Sequence, residues 1–160
     1  MRKIAGITIA ELAEKDKSII VLDGDLGRGM FDKFKELYPD RYINMGVCEQ
    51  SMISVSAGMA LEGLKPFVFS ITPFLLERPF EQIKIDLDHQ KTNVVLVGFA
   101  DYPGMGPTHA ELDWKLISQV FKNIKFFFPK TEAEAKEAIV EAYAYNGPAI
   151  ISLKKAPLIA

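Results

Sequence analysis

Short apolar runs alternate with stretches of helical periodicity along the whole chain. Ser18–Leu22 is an apolar run that ends in Asp23-Gly24-Asp25, a turn signal, and predicts a buried strand. Phe31, Phe34 and Leu37 recur at helical spacing, and Pro39 closes that segment. Tyr42-Ile43-Asn44 reads as a short strand, Glu49 to about Leu61 as a helix closed by Gly63, and Pro66 to Ser70 as a strand. A helix is predicted from Glu77 to about His89, with Phe80, Ile83 and Leu87 on one face. Asn93 to Phe99 is the clearest buried strand, and Ala100 to Leu112 is a long loop holding Pro103, Gly104, Gly106 and Pro107. Trp114, Ile117 and Val120 mark a short helix, and Ile124 to Phe128 a strand whose three phenylalanines serve packing. An alanine-rich helix follows over Glu132 to Tyr145, with Thr131 as its cap, before a last strand at Ala149–Leu153.

Continuous apolar strands separated by helices predict an α/β fold: a doubly wound, mostly parallel sheet with helices on both faces. Ligands of such sheets sit in loops beyond the carboxyl ends of the strands. Three loops there have suggestive chemistry: Asp23 to Gly29, Gly46 to Glu49, and Asp101 to His109.

The totals narrow the function classes. The 160 residues suit one domain over 1–160, with 49 % hydrophobic and 25 % charged residues, as in ordinary globular proteins. A net charge of -2 offers no basic field, which argues against nucleic acid as a partner. One cysteine, Cys48, excludes an intramolecular disulfide, and the two histidines, His89 and His109, fit no metal spacing. The apolar stretch after Met1-Arg2-Lys3 is interrupted by Glu11 and Glu14, so it reads as an amphipathic helix rather than a leader. No run approaches membrane-spanning length, and the cytoplasm is the expected compartment.

The most informative stretch is Asn44-Met45-Gly46-Val47-Cys48-Glu49-Gln50, which sets one carboxylate at the start of a helix among Met45, Val47, Met52 and Ile53. A carboxylate held among apolar groups has a raised pKa and can share a proton with a ligand nitrogen. The other reading of Glu49 is a helix-start carboxylate complementing the macrodipole.

Together with Val21-Leu22-Asp23-Gly24-Asp25-Leu26, Pro39 to Gln50, Ala57-Gly58-Met59-Ala60, Pro66-Phe67-Val68, Phe74, Arg78 to Ile83 and Gly106-Pro107-Thr108-His109, this stretch resembles the pyrimidine-binding domain of transketolases and deoxyxylulose-phosphate synthases. The resemblance runs in order over nearly the whole chain. It implies thiamine diphosphate bound across a subunit interface, with the aminopyrimidine ring on this domain. Glu49 matches the glutamate that hydrogen-bonds the ring nitrogen and favours the imino tautomer, which takes the proton from the thiazolium carbon. Phe74 matches the aromatic that packs on the ring, and Ile71 stands where the family often has a second aromatic. His109 matches the histidine of the Gly-x-Thr-His loop, which faces substrate hydroxyls and shuttles protons; Met105 replaces the usual acidic residue before that loop's glycine, and the loop reads as shortened. Asp25 matches an acidic loop residue near the cofactor; its other reading is a turn aspartate. Arg78 is a cofactor-side candidate that either reaches a substrate phosphate or pairs with Glu81 on the same helix, the latter being the expected arrangement. The small residues Ser51, Ser54, Ser56, Ala57 and Gly58 suit either tight packing on the sheet or a subunit interface.

The family's diphosphate-binding motif, Gly-Asp-Gly followed by an asparagine, does not occur in the chain, nor does a third domain. The resemblance therefore implies one subunit of a split enzyme, inactive by itself. A diphosphate-binding partner would supply the diphosphate and Mg2+ ligands, in a homodimer or a two-plus-two heterotetramer acting on sugars or sugar phosphates. The start at Met1 favours a natural subunit over an excised domain. A non-catalytic relative that binds or regulates a partner, and a subunit of a two-chain keto-acid decarboxylase, remain as alternatives.

Overall fold

The strands form one six-stranded sheet in which every neighbouring pair is parallel. The strands are β1 (Ile19–Asp23), β2 (Tyr42–Asn44), β3 (Lys65–Ser70), β4 (Val95–Phe99), β5 (Lys125–Phe127) and β6 (Ala149–Leu153). The structure, a computed structural model, describes residues 1–154. Residues 155–160, which the single-domain expectation includes, lie outside the described residues.

Side-chain alternation along the strands builds two cores. Ile19, Val21, Phe67, Phe69, Val95, Val97, Ile151 and Leu153 point to one face. They pack there against α1 (Arg2–Lys15), α2 (Asp32–Leu37) and α7 (Glu132–Ala144) through Ala5, Ile9, Phe34, Ala135 and Ile139. Ile20, Leu22, Val68, Leu96 and Ile150 point to the other. That face is covered by α3 (Glu49–Leu61), α4 (Thr72–Glu77) and, through Ile83 and Leu87, the wide π-helical turn over Ile83–His89 that continues α5 (Phe80–Gln82). Strands buried on both faces explain why they read as unbroken apolar runs. The fold is thus the α/β doubly wound sheet expected from the sequence, here entirely parallel.

Three local expectations change. The helix expected over Glu77–His89 is broken at Arg78–Pro79, because proline lacks an N–H donor and its ring crowds the preceding turn. An unforeseen short helix, α4, precedes the break with Pro73 near its start, where the missing donor costs nothing. Phe80 is therefore not stacked with Ile83 and Leu87 in the core but is 39 % exposed, against Trp114 and Phe121. The helix around Trp114 is α6 (Trp114–Ile117) followed by one 3-10 turn, and it leaves Val120 exposed. The predicted cap holds: the Thr131 hydroxyl accepts the Glu134 N–H at 3.1 Å.

The chain winds from β1 outward to β2, returns to β3 on the other side of β1, continues to β4 and the far edge strand β5, and closes with β6 between β4 and β5. The reversal places a crevice beyond the carboxyl ends of β1 and β3, the usual position for a ligand in an open parallel sheet.

Candidate active site

Four loops or helix starts meet at that crevice, and each brings one or more of the candidate residues. Asp25 follows β1, Glu49 follows β2, Phe74 and Arg78 follow β3, and His109 lies in the loop after β4. Since the strands are parallel, all five positions belong to the same edge of the sheet.

The turn that delivers Glu49 is built by its own sequence. Asn44 Oδ1 accepts the Gly46 N–H at 2.9 Å, Gly46 has φ +72°, and the Met45 N–H donates to Asp23 O at 2.8 Å. A left-handed φ costs glycine nothing, whereas a side chain there is strained. Asn44 also donates to Asp25 Oδ1 at 2.8 Å and so ties the first two loops together. Glu49 is the first residue of α3 and only 3 % exposed, over the buried side chains of Met52 and Ile53. Val47, expected beside it, faces outward and is 61 % exposed.

Glu49 is not in purely apolar surroundings. Arg78 Nη1 donates to both its oxygens at 3.1 Å, and the same guanidinium lies over the Phe74 ring, 3.3 Å from its centre. The expected Arg78–Glu81 pair is thereby corrected. Pro79 interrupts the helix between the two residues, removing the shared face the pairing needs, and Glu81 is exposed.

Phe74 is 9 % exposed and meets His109 edge-to-face, with ring centroids 4.7 Å apart. The two rings border a cavity of about 180 Å³, together with Phe69, Ile71, Phe99 and Tyr102. Ile71, at 6 % exposure, gives this cavity aliphatic surface. The long loop is ordered as two 3-10 turns, Pro103–Met105 and Pro107–His109. It is anchored by the Tyr102 N–H on His109 O at 2.7 Å and by Thr72 N–H on Ala100 O at 3.1 Å. Asp25 and Ala100 are non-glycine residues at left-handed φ (63° and 54°), and both lie on this edge. Backbone strain of this kind gathers at functional loops.

Asp23 is an organising residue that sequence reasoning takes only as a turn signal. Its carboxylate, 2 % exposed, accepts the N–H groups of Leu26 (3.1 Å) and Gly27 (3.0 Å) and the hydroxyl of Tyr42. Burial first, and the bond to Asp23 second, push the Tyr42 hydroxyl far above its ordinary pKa. The hydroxyls of Ser70 and Thr72, at the carboxyl end of β3, are buried without a hydrogen-bond partner among the described residues. Larger cavities lie by Trp114 (about 490 Å³) and beside Phe80 (about 540 Å³); of Glu49, Phe74 and Asp25, only Phe74 lines a cavity, the one of about 180 Å³.

The donor set suits a flat nitrogen heterocycle: an aromatic face, a buried carboxylate beside it, and an apolar cavity at the far edge. The Arg78 guanidinium already demonstrates that a planar N–H-bearing group can lie on Phe74 while bonded to Glu49. Among the described residues no group of three or more His, Cys, Asp or Glu side chains is arranged to hold a metal. Nor is any described helix long and apolar enough to cross a membrane.

Comparison with known proteins identifies a family and a fold. The family "transketolase, pyrimidine binding domain" matches residues 1–159. An apulose-4-phosphate transketolase subunit from Actinobacillus succinogenes is 37 % identical over 123 residues, covering 75 % of this chain and 40 % of that protein. The 1-deoxy-D-xylulose-5-phosphate synthase of Oleidesulfovibrio alaskensis is 33 % identical over 155 residues, 93 % of this chain and 24 % of its own length. A 6-deoxy-6-sulfo-D-fructose transketolase subunit of Clostridium sp. is 31 % identical over 157 residues, 94 % of this chain and 48 % of its own length. Among solved structures, a split-gene transketolase described as an inactive beta4 tetramer superposes with a TM-score of 0.87 at 27 % identity, over 99 % of this chain and 52 % of that one. The chain spans less than half the length of these curated relatives.

Proposed function

The chain belongs to the transketolase pyrimidine-binding domain family, and from that membership we propose that it is the pyrimidine-binding subunit of a split, thiamine diphosphate-dependent transketolase. Paired with a diphosphate-binding subunit, it would transfer a two-carbon ketol unit between sugars or sugar phosphates in the cytoplasm. The observation that carries the reading is the buried Glu49 carboxylate beside the face of Phe74, with His109 at that ring's edge.

Each residue then has a task on its own atoms. The Glu49 carboxyl would hydrogen-bond the ring nitrogen of the aminopyrimidine and share its proton with it. Phe74 takes the flat ring on its face, which adds about 1 kcal/mol beyond area burial. His109, whose Nδ1 is 3.1 Å from the Thr108 hydroxyl, faces the substrate's hydroxyls and exchanges protons with them. Asp25, held by Asn44, supplies negative charge at the mouth of the site. Thiamine diphosphate, when bound, supplies the carbon nucleophile that accepts the two-carbon unit. The diphosphate and its Mg2+ are assigned to the partner, in a homodimer or a two-plus-two assembly.

Several relatives support the split arrangement, since two of them are described as transketolase subunits and a split-gene relative is inactive as a beta4 tetramer. The test is thiamine diphosphate binding with magnesium by the mixture of this chain and a diphosphate-binding subunit, set against each chain alone. Binding by the mixture only supports the proposal; a complex that forms and binds no cofactor favours a non-catalytic partner role.

A further inference from the structure

One side chain occupies both features of the site that face a flat heterocycle. Arg78 stacks on Phe74 at 3.3 Å and bonds both oxygens of Glu49 at 3.1 Å. A guanidinium is planar, carries its donors in the plane and stacks on aromatic faces. It therefore offers Phe74 and Glu49 what an aminopyrimidine would offer: a flat polarised face and an in-plane nitrogen beside the carboxylate. Resting on the functional reading above, we propose that Arg78 is a gate for the cofactor: its guanidinium and the aminopyrimidine ring compete for the Phe74 face and the Glu49 carboxylate, and the ring is seated only as Arg78 swings out.

Arg78 is the movable member of the three. Its side chain is 36 % exposed, while that of Glu49 is 3 % exposed and fixed to the first turn of α3. Phe74 is buried in α4. Among the described residues the guanidinium makes no hydrogen bond other than those to Glu49, so leaving the site breaks no further contact of that kind. It ends α4 just before Pro79, where the chain turns into the next helix.

The Arg78 contact also accounts for the burial of the Glu49 carboxylate. An uncompensated charge at 3 % exposure is costly, and the guanidinium neutralises it. The arriving ring exchanges that cation for a nitrogen heterocycle, so Glu49 loses its countercharge in the same event that gives it a ring to hydrogen-bond. Apparent affinity is then lowered by the fraction of molecules in which the gate is closed.

The test compares wild type, Arg78→Gln and Arg78→Lys, each in complex with a diphosphate-binding subunit, by calorimetric titration with thiamine diphosphate and magnesium. Both variants lose the planar fork, and Arg78→Lys keeps the charge. The gate predicts affinity roughly tenfold tighter in both variants. Weaker or unchanged binding in both overturns it. An independent readout is the Arg78 Nε–H resonance of the wild-type complex, expected upfield through the Phe74 ring current without cofactor and shifted back when cofactor is added. An upfield signal that persists with cofactor bound overturns the gate, as does its absence beforehand. No binding by wild type or either variant overturns the functional reading itself, a result distinct from equal binding by all three.

Discussion

The imidazole of His109 meets the ring of Phe74 edge-on, with centroids 4.7 Å apart and planes inclined by 63°. This contact joins the loop after β4 to the helix after β3, and it sets an imidazole beside an aromatic ring. Phe74→Leu removes that face while filling much of its volume. Thiamine diphosphate affinity of the two-subunit complex is expected to fall roughly tenfold, as loss of about 1 kcal/mol of stacking plus displacement of His109 implies. Calorimetric titration checks the affinity, and thermal unfolding is expected to show only a small shift.

His109→Gln keeps a polar side chain in the loop and removes the imidazole. The expected result is cofactor binding unchanged and ketol transfer reduced about 100-fold or more. Steady-state rates alongside the same titration separate the two effects.

Asp23 holds the turn that leads away from β1. Asp23→Ala leaves the Leu26 and Gly27 N–H groups and the Tyr42 hydroxyl without their acceptor. Stability is expected to drop by about 3 kcal/mol in urea unfolding, because stranded buried donors are expensive. Gly27→Ala acts on the same contact, since a methyl group there would stand 2.5 Å from Asp23 Oδ2 and force the carboxylate aside.

Tyr42 links this cluster to alkaline pH. Its hydroxyl titrates higher in the folded protein than in the unfolded chain, through burial and then the bond to Asp23. The folded state therefore keeps a proton that the unfolded chain releases above about pH 10. The contribution to stability is full below that pH and declines as pH rises beyond it. The Tyr143 hydroxyl, raised by burial and by Asp16, adds in the same direction. Urea midpoints of wild type and Tyr42→Phe are expected to keep a constant gap up to about pH 9 and to converge as pH rises past about 10. A gap that stays constant up to about pH 11 contradicts the assignment.

Lys65 supports the opposite edge of the sheet. Its ammonium, 8 % exposed, donates to the carbonyls of Tyr143 and, at 3.3 Å, Tyr145, where α7 ends. A cation there complements the helix dipole and satisfies carbonyls that the last turn leaves open. Lys65→Met keeps the apolar stem and removes the donors, with an expected loss of about 1–3 kcal/mol by urea unfolding and no change in cofactor affinity.

The strands and most helices are legible because burial on both sheet faces writes itself as unbroken apolar runs, and because Gly63, Pro39 and Thr131 punctuate them. The stretch from Ile71 to His89 is not, since a proline break turns one expected helix into several short pieces. Glu49, Phe74 and His109 are identified through the resemblance, and the structure brings the elements that carry them to one sheet edge. The Arg78–Glu49 pair lies beyond local rules. The residues are 29 positions apart, and spacing along a helix points instead to Glu81. Long-range pairing depends on where the sheet brings loops together, which no local pattern records. Asp23 reads as a turn residue because its partners, two backbone N–H groups and a hydroxyl on β2, carry no sequence signature.

The central claim is that Glu49 handles the proton of the cofactor ring. Its most direct test is ketol transfer by the reconstituted two-subunit complex carrying Glu49→Gln, which keeps the size of the side chain and removes its acidity. The variant is expected to fold, assemble and lose transfer activity by about 1,000-fold or more. Activity equal to that of the wild-type complex would contradict the claim and make this chain a structural partner.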